Sequence, residues 1–470
     1  MIYEYMKKIA TTAYHDVIVC GGGFSGFAAA YAAAREGADV LLIERSFCLG
    51  GVGTQSLVNH LLGAREFDLT TRTYNTCIGD VFDLIEDRIL EMGGGVDVDT
   101  IDLELPPHGW LGGLGVGLIF DKEKMKLLLE QMLAEVGVRI LYGTDIVDVV
   151  RDGERLMGVI VHNKSGLSLI EGRTFIDATG DADVCMLAGC DFAKGDEDGE
   201  MAAASLEMHV ENVDHEKLMA YMKKTRDVRF RALIEPLKKS GEWTFPYEIF
   251  ISVMLTKPDV FMINTIRQVG VDGTDADSLT RAVLDGRKEN FALLQVMRRH
   301  FPGFENATIR EIAPTVGIRE TRRIVGEYTL TVPDLIEAVD FEDSIALSAY
   351  GWDMPNPKNP SYQPFHGVKR KSPYTQIPYR CLVARGVDNL INIGRSLSAE
   401  REVLGPLRVM APCIAMGVAA GIASHTVCAE NIRYKDVNVT SLREKIVSYG
   451  GFVDRAQVKM GGSYAKTAFK

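Results

Sequence analysis

The stretch DVIVCGGGFSGFAAAYAAAREGADVLLIE, Asp16 to Glu44, sets three glycines side by side and follows them with a run of alanines. Two readings compete for it: a phosphate-binding turn, or an apolar segment bound for a membrane. A membrane span needs about 18 or more uninterrupted apolar residues. Here Gly21, Gly22, Gly23 and Gly26 break the run and Arg35-Glu36 ends it, so the membrane reading fails. Val17 to Cys20 reads as a strand buried on both faces of a parallel sheet. Phe24 to Arg35 reads as a helix closed by Gly37, and Val40 to Ile43 as a second buried strand ending at Glu44.

The spacing Gly21-x-Gly23-x-x-Gly26 gives each glycine a role. Gly21 permits a tight turn, Gly23 admits a pyrophosphate beside the backbone, and Gly26 lets helix and strand pack closely. Phe24 and Ser25 open the helix, whose unpaired N–H groups and positive dipole end would face the phosphates. Glu44 stands about 20 residues further on, placed to accept hydrogen bonds from a ribose, and Arg45 follows it. A glycine-rich turn without a ligand is the competing reading. The flanking strands, the helix and the terminal acid together decide for a dinucleotide. This stretch alone leaves open whether that is a nicotinamide or a flavin.

Bulk properties bound the rest. The 470 residues are 46% apolar and 25% charged, as in an ordinary globular chain of two or three domains. A net charge of −12 and the lack of a basic arm exclude a nucleic-acid backbone as the main partner. Eight cysteines form no C-x-x-C pair and no zinc-like cluster with histidine, so neither a metal nor a dithiol redox pair is expected. Free buried thiols fit the cytoplasm. The N-terminus MIYEYMKKIATTAYHD lacks the apolar core of a signal peptide, and no membrane partner is expected.

After Glu44 the strand–helix alternation of a nicotinamide dehydrogenase stops. RSFCLGGVGTQSLVNHLLG brings Gly50-Gly51 and Gly53-Thr54. Much later, residues 138–184 alternate apolar and polar positions, with turns at Asp152-Gly153 and Lys164-Ser165-Gly166. This pattern predicts a β-meander ending in the strand Thr174 to Ala178 and the turn Thr179-Gly180-Asp181.

With these blocks in place the chain resembles the glutathione-reductase-like flavoproteins, on the branch near the fumarate reductase and succinate dehydrogenase flavoproteins. The N-terminal fingerprint, Glu44 with Gly50-Gly51, DATGD at 177–181 and NLINIGRSLSAEREVLGPLRVMAPCIAMGVAAGIAS at 389–424 carry the resemblance. GIRETRRIVGEYTLT at 317–331 and YTQIPYRCLV at 374–383 are similar to the FAD-dependent oxidoreductase family. The resemblance implies an α/β fold: a Rossmann-like FAD-binding domain with a parallel sheet plus β-meander, and an inserted α+β substrate or cap domain. Residues 1–195 and 372–470 would form the FAD domain, the second part with a C-terminal helix, and 196–371 the insertion. No histidine follows Gly51 where relatives attach the flavin, so FAD would be held non-covalently.

The cofactor contacts implied are Gly21, Gly23, Phe24, Ser25, Gly26, Glu44, Arg45, Gly50, Gly51, Gly53, Thr54 and Ile146, then Ala178, Thr179, Gly180, Asp181, Gly394, Arg395, Leu407 and Arg408. Leu390 to Ile393 reads as a buried strand. Val409 to Ala423 reads as a small-residue helix whose N-terminus, in relatives, points at the flavin. Arg395 departs from the pattern, standing where many relatives have an acid that holds the ribityl chain. GWLGGLGVGLIF, 109–120, lacks the preceding buried strand of a second fingerprint. A separate electron donor or acceptor is therefore expected, and a homo-oligomer is compatible with the chain.

In the middle, helices are expected at 214–224, 229–239 and 278–299, strands within 251–265 and 325–331, and a solvated acidic turn at 194–200. Ser441-x-x-Glu444 reads as the capping box of a final helix that stops at Gly450-Gly451. Flavin chemistry needs a group to give or take the proton that matches the hydride. The candidates are Arg319, Asp353, His366 and Arg408, with Arg322, Arg323 and His60 behind them. Arg319, carried by GIRETRR, would clamp a carboxylate or polarise a carbonyl. The family's Asp-x-His becomes Asp353-Met354-Pro355 here, and Arg401 replaces a second histidine, which leaves His366 as substitute. Lys369-Arg370-Lys371 reads as an exposed basic run. The expected activity is an FAD-dependent dehydrogenase or reductase acting on a small polar molecule, an alcohol or sugar or an activated C–C bond. The rivals are a flavoprotein with non-redox or RNA-modifying group transfer, and a non-catalytic FAD-binding module.

Overall fold

Val17 to Cys20 shows no polar alternation because both faces of its strand are covered: each of these residues is fully buried. The computed structural model describes residues 8–68, 73–101 and 116–463, so most of the glycine-rich 109–120 segment lies outside the described residues. The first elements are β1 (Thr11–Cys20), α1 (Phe24–Arg35) and β2 (Val40–Ile43). The helix and the second strand have the bounds the sequence predicts. Next come β3 (Arg139–Leu141) and the meander of β4 (Asp145–Asp152), β5 (Arg155–Asn163) and β6 (Gly166–Asp177).

The sheet runs β3-β2-β1-β6-β5-β4. β3, β2, β1 and β6 are parallel, and the meander strands antiparallel. β6 is long because it changes partners along its length. Gly166–Glu171 pairs with β5, and Phe175–Asp177 pairs in parallel with a strand that arrives much later.

A second layer follows: β7 (Met208–Glu211), β8 (Ser252–Met254), β9 (Phe261–Ile263), the long helix α2 (Ala276–His300) and β10 (Thr308–Ile312). Their order is β8-β9-β7-β10, all antiparallel. Helices His215–Thr225 and Arg231–Ser240 lie close to their expected places. The core here is aromatic: Phe250 packs on Phe301 and Phe230 with ring centroids 4.8 and 5.2 Å apart. This separate core draws on residues from Met208 to Ala307. Leu335, Ile345, Leu347 and Met354, within the expected insertion, pack into the first core instead.

The chain then returns to the first sheet with β11 (Leu390–Asn392) and α3 (Met410–Glu430). Among the described residues α3 is the one helix long and apolar enough to cross a membrane, yet 83% of its apolar window is buried in the protein. It packs on α1, where a methyl added at Gly417 or Gly421 would strike the carbonyl of Ser25 or Ala29. Two expectations are corrected. Residues 325–331 form no strand of their own; the strand is Arg322–Ile324, because the following segment spends its backbone on isolated bridges to Ala384 and Ala399. The final helix is Val439–Ser448, and Asn438 rather than Ser441 caps it, accepting from the Ser441 N–H.

Candidate functional site

The carboxyl ends of β1, β2, β6 and β11 meet at one rim. The Gly21 N–H donates to Ile43 O (2.8 Å), the Ala178 N–H to Cys20 O (2.9 Å) and the Ile393 N–H to Asp177 O (2.9 Å). A cleft of about 730 Å³ opens there, lined by Gly21, Gly23, Glu44, Ala178, Gly180 and Gly394 among others. Ligand clefts sit at this edge of open α/β sheets and in this size range.

The three fingerprint glycines divide the work. Gly21 has φ +109°, and a side chain there would strike the Ala178 carbonyl; one at Gly26 would strike the Gly21 carbonyl. At Gly23 an added Cβ meets no protein atom within 4 Å, so the open space lies on the cleft side. Open space beside the backbone of such a glycine turn is what a pyrophosphate would require. Glu44 is buried, its Oε2 accepting from the Gly22 N–H (2.6 Å) and Oε1 from the Ser46 N–H (2.8 Å). Its carboxylate is thereby fixed at the end of β2.

Asp177 builds the next turn. It accepts from Thr179 Oγ1 (2.7 Å), the Thr179 N–H (3.1 Å) and the Cys185 N–H (2.9 Å), while its full burial pushes its carboxyl upward against those bonds. Asp181 then explains Arg395. It pairs with that guanidinium and also accepts from Thr321 Oγ1 (2.7 Å), so the arginine is neutralised within the rim.

GIRETRR fastens both layers together, residue by residue. Arg319 donates to Ala203 O (2.5 Å). Glu320 accepts from the Ala202 N–H and from Arg401 Nε (2.9 Å), and burial raises its carboxyl against the pull of Arg401. Arg322 donates to Asp181 O (2.9 Å) and Asp183 Oδ1 (2.8 Å), and Arg323 to Gly195 O (3.1 Å). Arg322, Arg323 and Arg401 are thus structural. Removal from water and the repulsion of Arg267 and Arg408 push the Arg319 guanidinium down to about 9.

A second cavity of about 770 Å³ lies beside the cleft, walled by Tyr247, Tyr350, Trp352 and Asp353. Arg408, which lines the first cleft, pairs across the wall with Asp353 at 3.1 Å. His366 lines the second cavity from an exposed position. Arg370 is no part of an exposed basic run: it donates to Thr375 Oγ1 (2.9 Å) and Tyr350 O (3.0 Å). His60 is buried in the short strand His60–Leu61.

Of the residues predicted for the cofactor, Gly26, Gly53, Thr54 and Leu407 do not line the cleft; the others do. These four support it. Thr54 Oγ1 donates to Leu49 O (2.6 Å), and a Cβ at Gly53 would stand 2.6 Å from Phe24. The sequence reading missed Met410 and Cys413 of α3, and Thr315, Val316 and Ile318, all in the lining. The last three directly precede or open GIRETRR, which was the signal available. Burial pushes the Cys413 thiol up to about 12 against the pull of Arg395 and Arg408. All eight cysteines are free, and among the described residues no group of three or more metal-ligating side chains occurs.

Residues 16–446 match the family described as FAD dependent oxidoreductase. A thiamine thiazole synthase from Methanococcus aeolicus is 26% identical over 200 residues, which are 39% of this chain and 60% of that protein. The chain thus spans less than two thirds of that relative's length. Among solved structures, a p-nitrophenol 4-monooxygenase from Pseudomonas putida is similar with a TM-score of 0.46 at 12% identity, over 90% of this chain and 82% of the other. A geranylgeranyl bacteriochlorophyll reductase-like protein from Thermoplasma acidophilum gives 0.43 at 13% identity, over 93% and 84%.

Proposed function

The chain belongs to the FAD dependent oxidoreductase family, and we propose that it moves a hydride between non-covalently held FAD and a small polar organic substrate. The observation that carries this reading is the Arg408–Asp353 pair, which joins the wall of the cleft to the wall of the second cavity. Substrate in that cavity would meet the inner end of the cofactor cleft. The cradle fits the cofactor: open space at Gly23, a fixed carboxylate at Glu44 and no histidine after Gly51 in the loop. Bound FAD supplies a hydride acceptor or donor.

The chain's own groups do the rest. The backbone at Gly21 and Gly23 would approach the pyrophosphate and Glu44 would hold a ribose, while the uncapped start of α3 turns its positive dipole end to the cleft. Asp353 and His366 face the second cavity and would give or take the substrate proton. The substrate is an alcohol or sugar, or carries an activated C–C bond, and a separate partner exchanges electrons with the reduced cofactor. Eight unpaired thiols suit a reducing compartment such as the cytoplasm.

The test is anaerobic mixing of the FAD-loaded protein with alcohols, sugars and enoates, and of its reduced form with keto and unsaturated acids. Bleaching or reoxidation of the flavin by one class is expected. No response from any class overturns the reading. Asp353→Ala or His366→Ala should slow that step by about 100-fold, within the usual contribution of a proton-transfer group. If both leave the rate within about twofold, neither carries the proton.

A further inference from the structure

The wall of the second cavity carries a phenol that no other part of the protein engages. Tyr350 follows the strand Ser344–Ser348 and lines that cavity. Its backbone is pinned on both sides: the Tyr350 N–H donates to Ser348 Oγ (3.3 Å), and Arg370 Nη2 donates to Tyr350 O (3.0 Å). The residue before it is held too, the Ala349 N–H donating to Gly63 O (2.9 Å). The same segment seats on the turn that leads into α3. A Cβ added at Gly405 would stand 2.7 Å from the Asp353 backbone nitrogen, and Ser348 Oγ donates to Pro406 O (2.6 Å). Among the described residues, the hydroxyl on this rigid frame has no hydrogen-bond partner. Unlike the unpartnered Nε of Arg408, it is not sealed inside the protein. It opens to the cavity.

Its electrostatic neighbours place it at the inner end of that cavity. The strongest are Asp353, Arg408, Tyr247 and Arg319, ahead of the Glu235, Lys238 and Glu248 that line the same space. Arg408 also lines the cofactor cleft. Burial and the Asp353 carboxylate push the phenol up against the pull of Arg408 and Arg319, so at neutral pH it keeps a proton to donate. A hydroxyl withdrawn from water without an acceptor forfeits a hydrogen bond, unless a ligand supplies one.

We propose that Tyr350 donates a hydrogen bond to the substrate oxygen on the carbon that exchanges the hydride, so that the substrate couple is an alcohol and its carbonyl compound. This rests on the second cavity being the substrate cavity of the oxidoreductase reading. In the oxidising direction the C–H bond breaks and its hydride passes to the cofactor. The O–H proton passes to Asp353 or His366, and the C=O bond forms. Tyr350 keeps its own proton throughout. Its hydrogen bond strengthens as negative charge gathers on the oxygen, and the nearby Arg408 and Arg319 favour the same charge. A substrate without that oxygen would leave the donor unpaired, which is how such a site rejects it.

The test titrates the FAD-loaded protein with acetophenone, 1-phenylethanol and ethylbenzene, reading the flavin absorbance and the unfolding temperature. The two oxygen-bearing probes should bind about tenfold more tightly than ethylbenzene. Tyr350→Phe should remove that advantage while leaving ethylbenzene binding within about twofold. The C=O stretch of bound acetophenone should lie lower on the parent protein than on Tyr350→Phe. If that variant does not fold, the same stretch on the parent protein, compared with acetophenone in hexane, decides. An unshifted stretch, equal binding of all three probes, or no binding by any of them overturns the proposal. So does a Tyr350→Phe variant that weakens all three alike, since the ring would then be packing only, or one that weakens none. If unsaturated acids alone reoxidise the reduced flavin, the hydride-transfer reading stands and this proposal falls. The hydride-transfer reading fails separately, when the probes bind through Tyr350 and no substrate class changes the flavin's redox state.

Discussion

A methyl group added at Gly23 meets no protein atom, whereas one at Gly26 strikes the Gly21 carbonyl. The same substitution should therefore do different things three residues apart. Gly23→Ala, whose φ of −64° suits any residue, should leave the stability of the cofactor-free protein within about 0.5 kcal/mol. It should weaken FAD binding, read by fluorescence titration, by about tenfold or more. Gly26→Ala should cost about 3 kcal/mol by denaturant unfolding and lose FAD with the fold. Equal stability losses in the two variants would mean that Gly23 is not part of the cradle. These glycines were legible in the sequence because a motif is a local pattern. Arg267, whose charge stands close enough to push down the Arg319 guanidinium, was not, because it carries no motif and lies far from Arg319 in the chain.

The contact between α1 and α3 shows the same logic along whole helices. Alanines on one and glycines on the other let two backbones approach until the Ser25 and Ala29 carbonyls fill the space a Cβ would take. Gly421→Val should cost about 3 kcal/mol or more, measured by chemical denaturation. A change of less than about 1 kcal/mol would show that the helices can slide apart. Elements with a strong local signal were readable before the fold: α1 and β2 have their predicted bounds. The last helix starts three residues earlier than expected because both Asn438 and Ser441 are competent caps, and the Asn438 side chain takes the role by accepting from the Ser441 N–H. Residues 325–331 alternate like a strand but find no continuous edge to pair with.

Across the whole molecule, Glu311 ties the inserted sheet to the first layer. Lys122 donates to it, and His209 Nδ1 lies 3.1 Å away while His209 Nε2 reaches Leu57 O at 3.3 Å. Burial raises this carboxyl, but its hydrogen bonds with His209 and Lys122 prevail and hold it at about 2, below the ordinary 4.5. A depressed folded-state value stabilises the protein above the unfolded value and loses that stabilisation as pH falls. Glu311→Gln should therefore cost roughly 2–3 kcal/mol at pH 7. The gap from the parent protein should narrow as pH drops from about 4.5 toward 2. A gap independent of pH would assign the loss to packing.

The order of elements along the chain has a consequence for synthesis. β1 and α1 leave the ribosome well before β11 and α3, which complete their sheet and cover the alanine face. Until then the face of α1 that packs on α3 has no native partner, while residues 208–307 already hold a complete aromatic core. The inserted layer can thus settle during translation, and the dinucleotide layer closes only after β11 and α3 have emerged. A nascent chain stalled before Leu390 would carry a finished second layer and a sticky, unclosed first one, which makes it a client for chaperones and a source of aggregation.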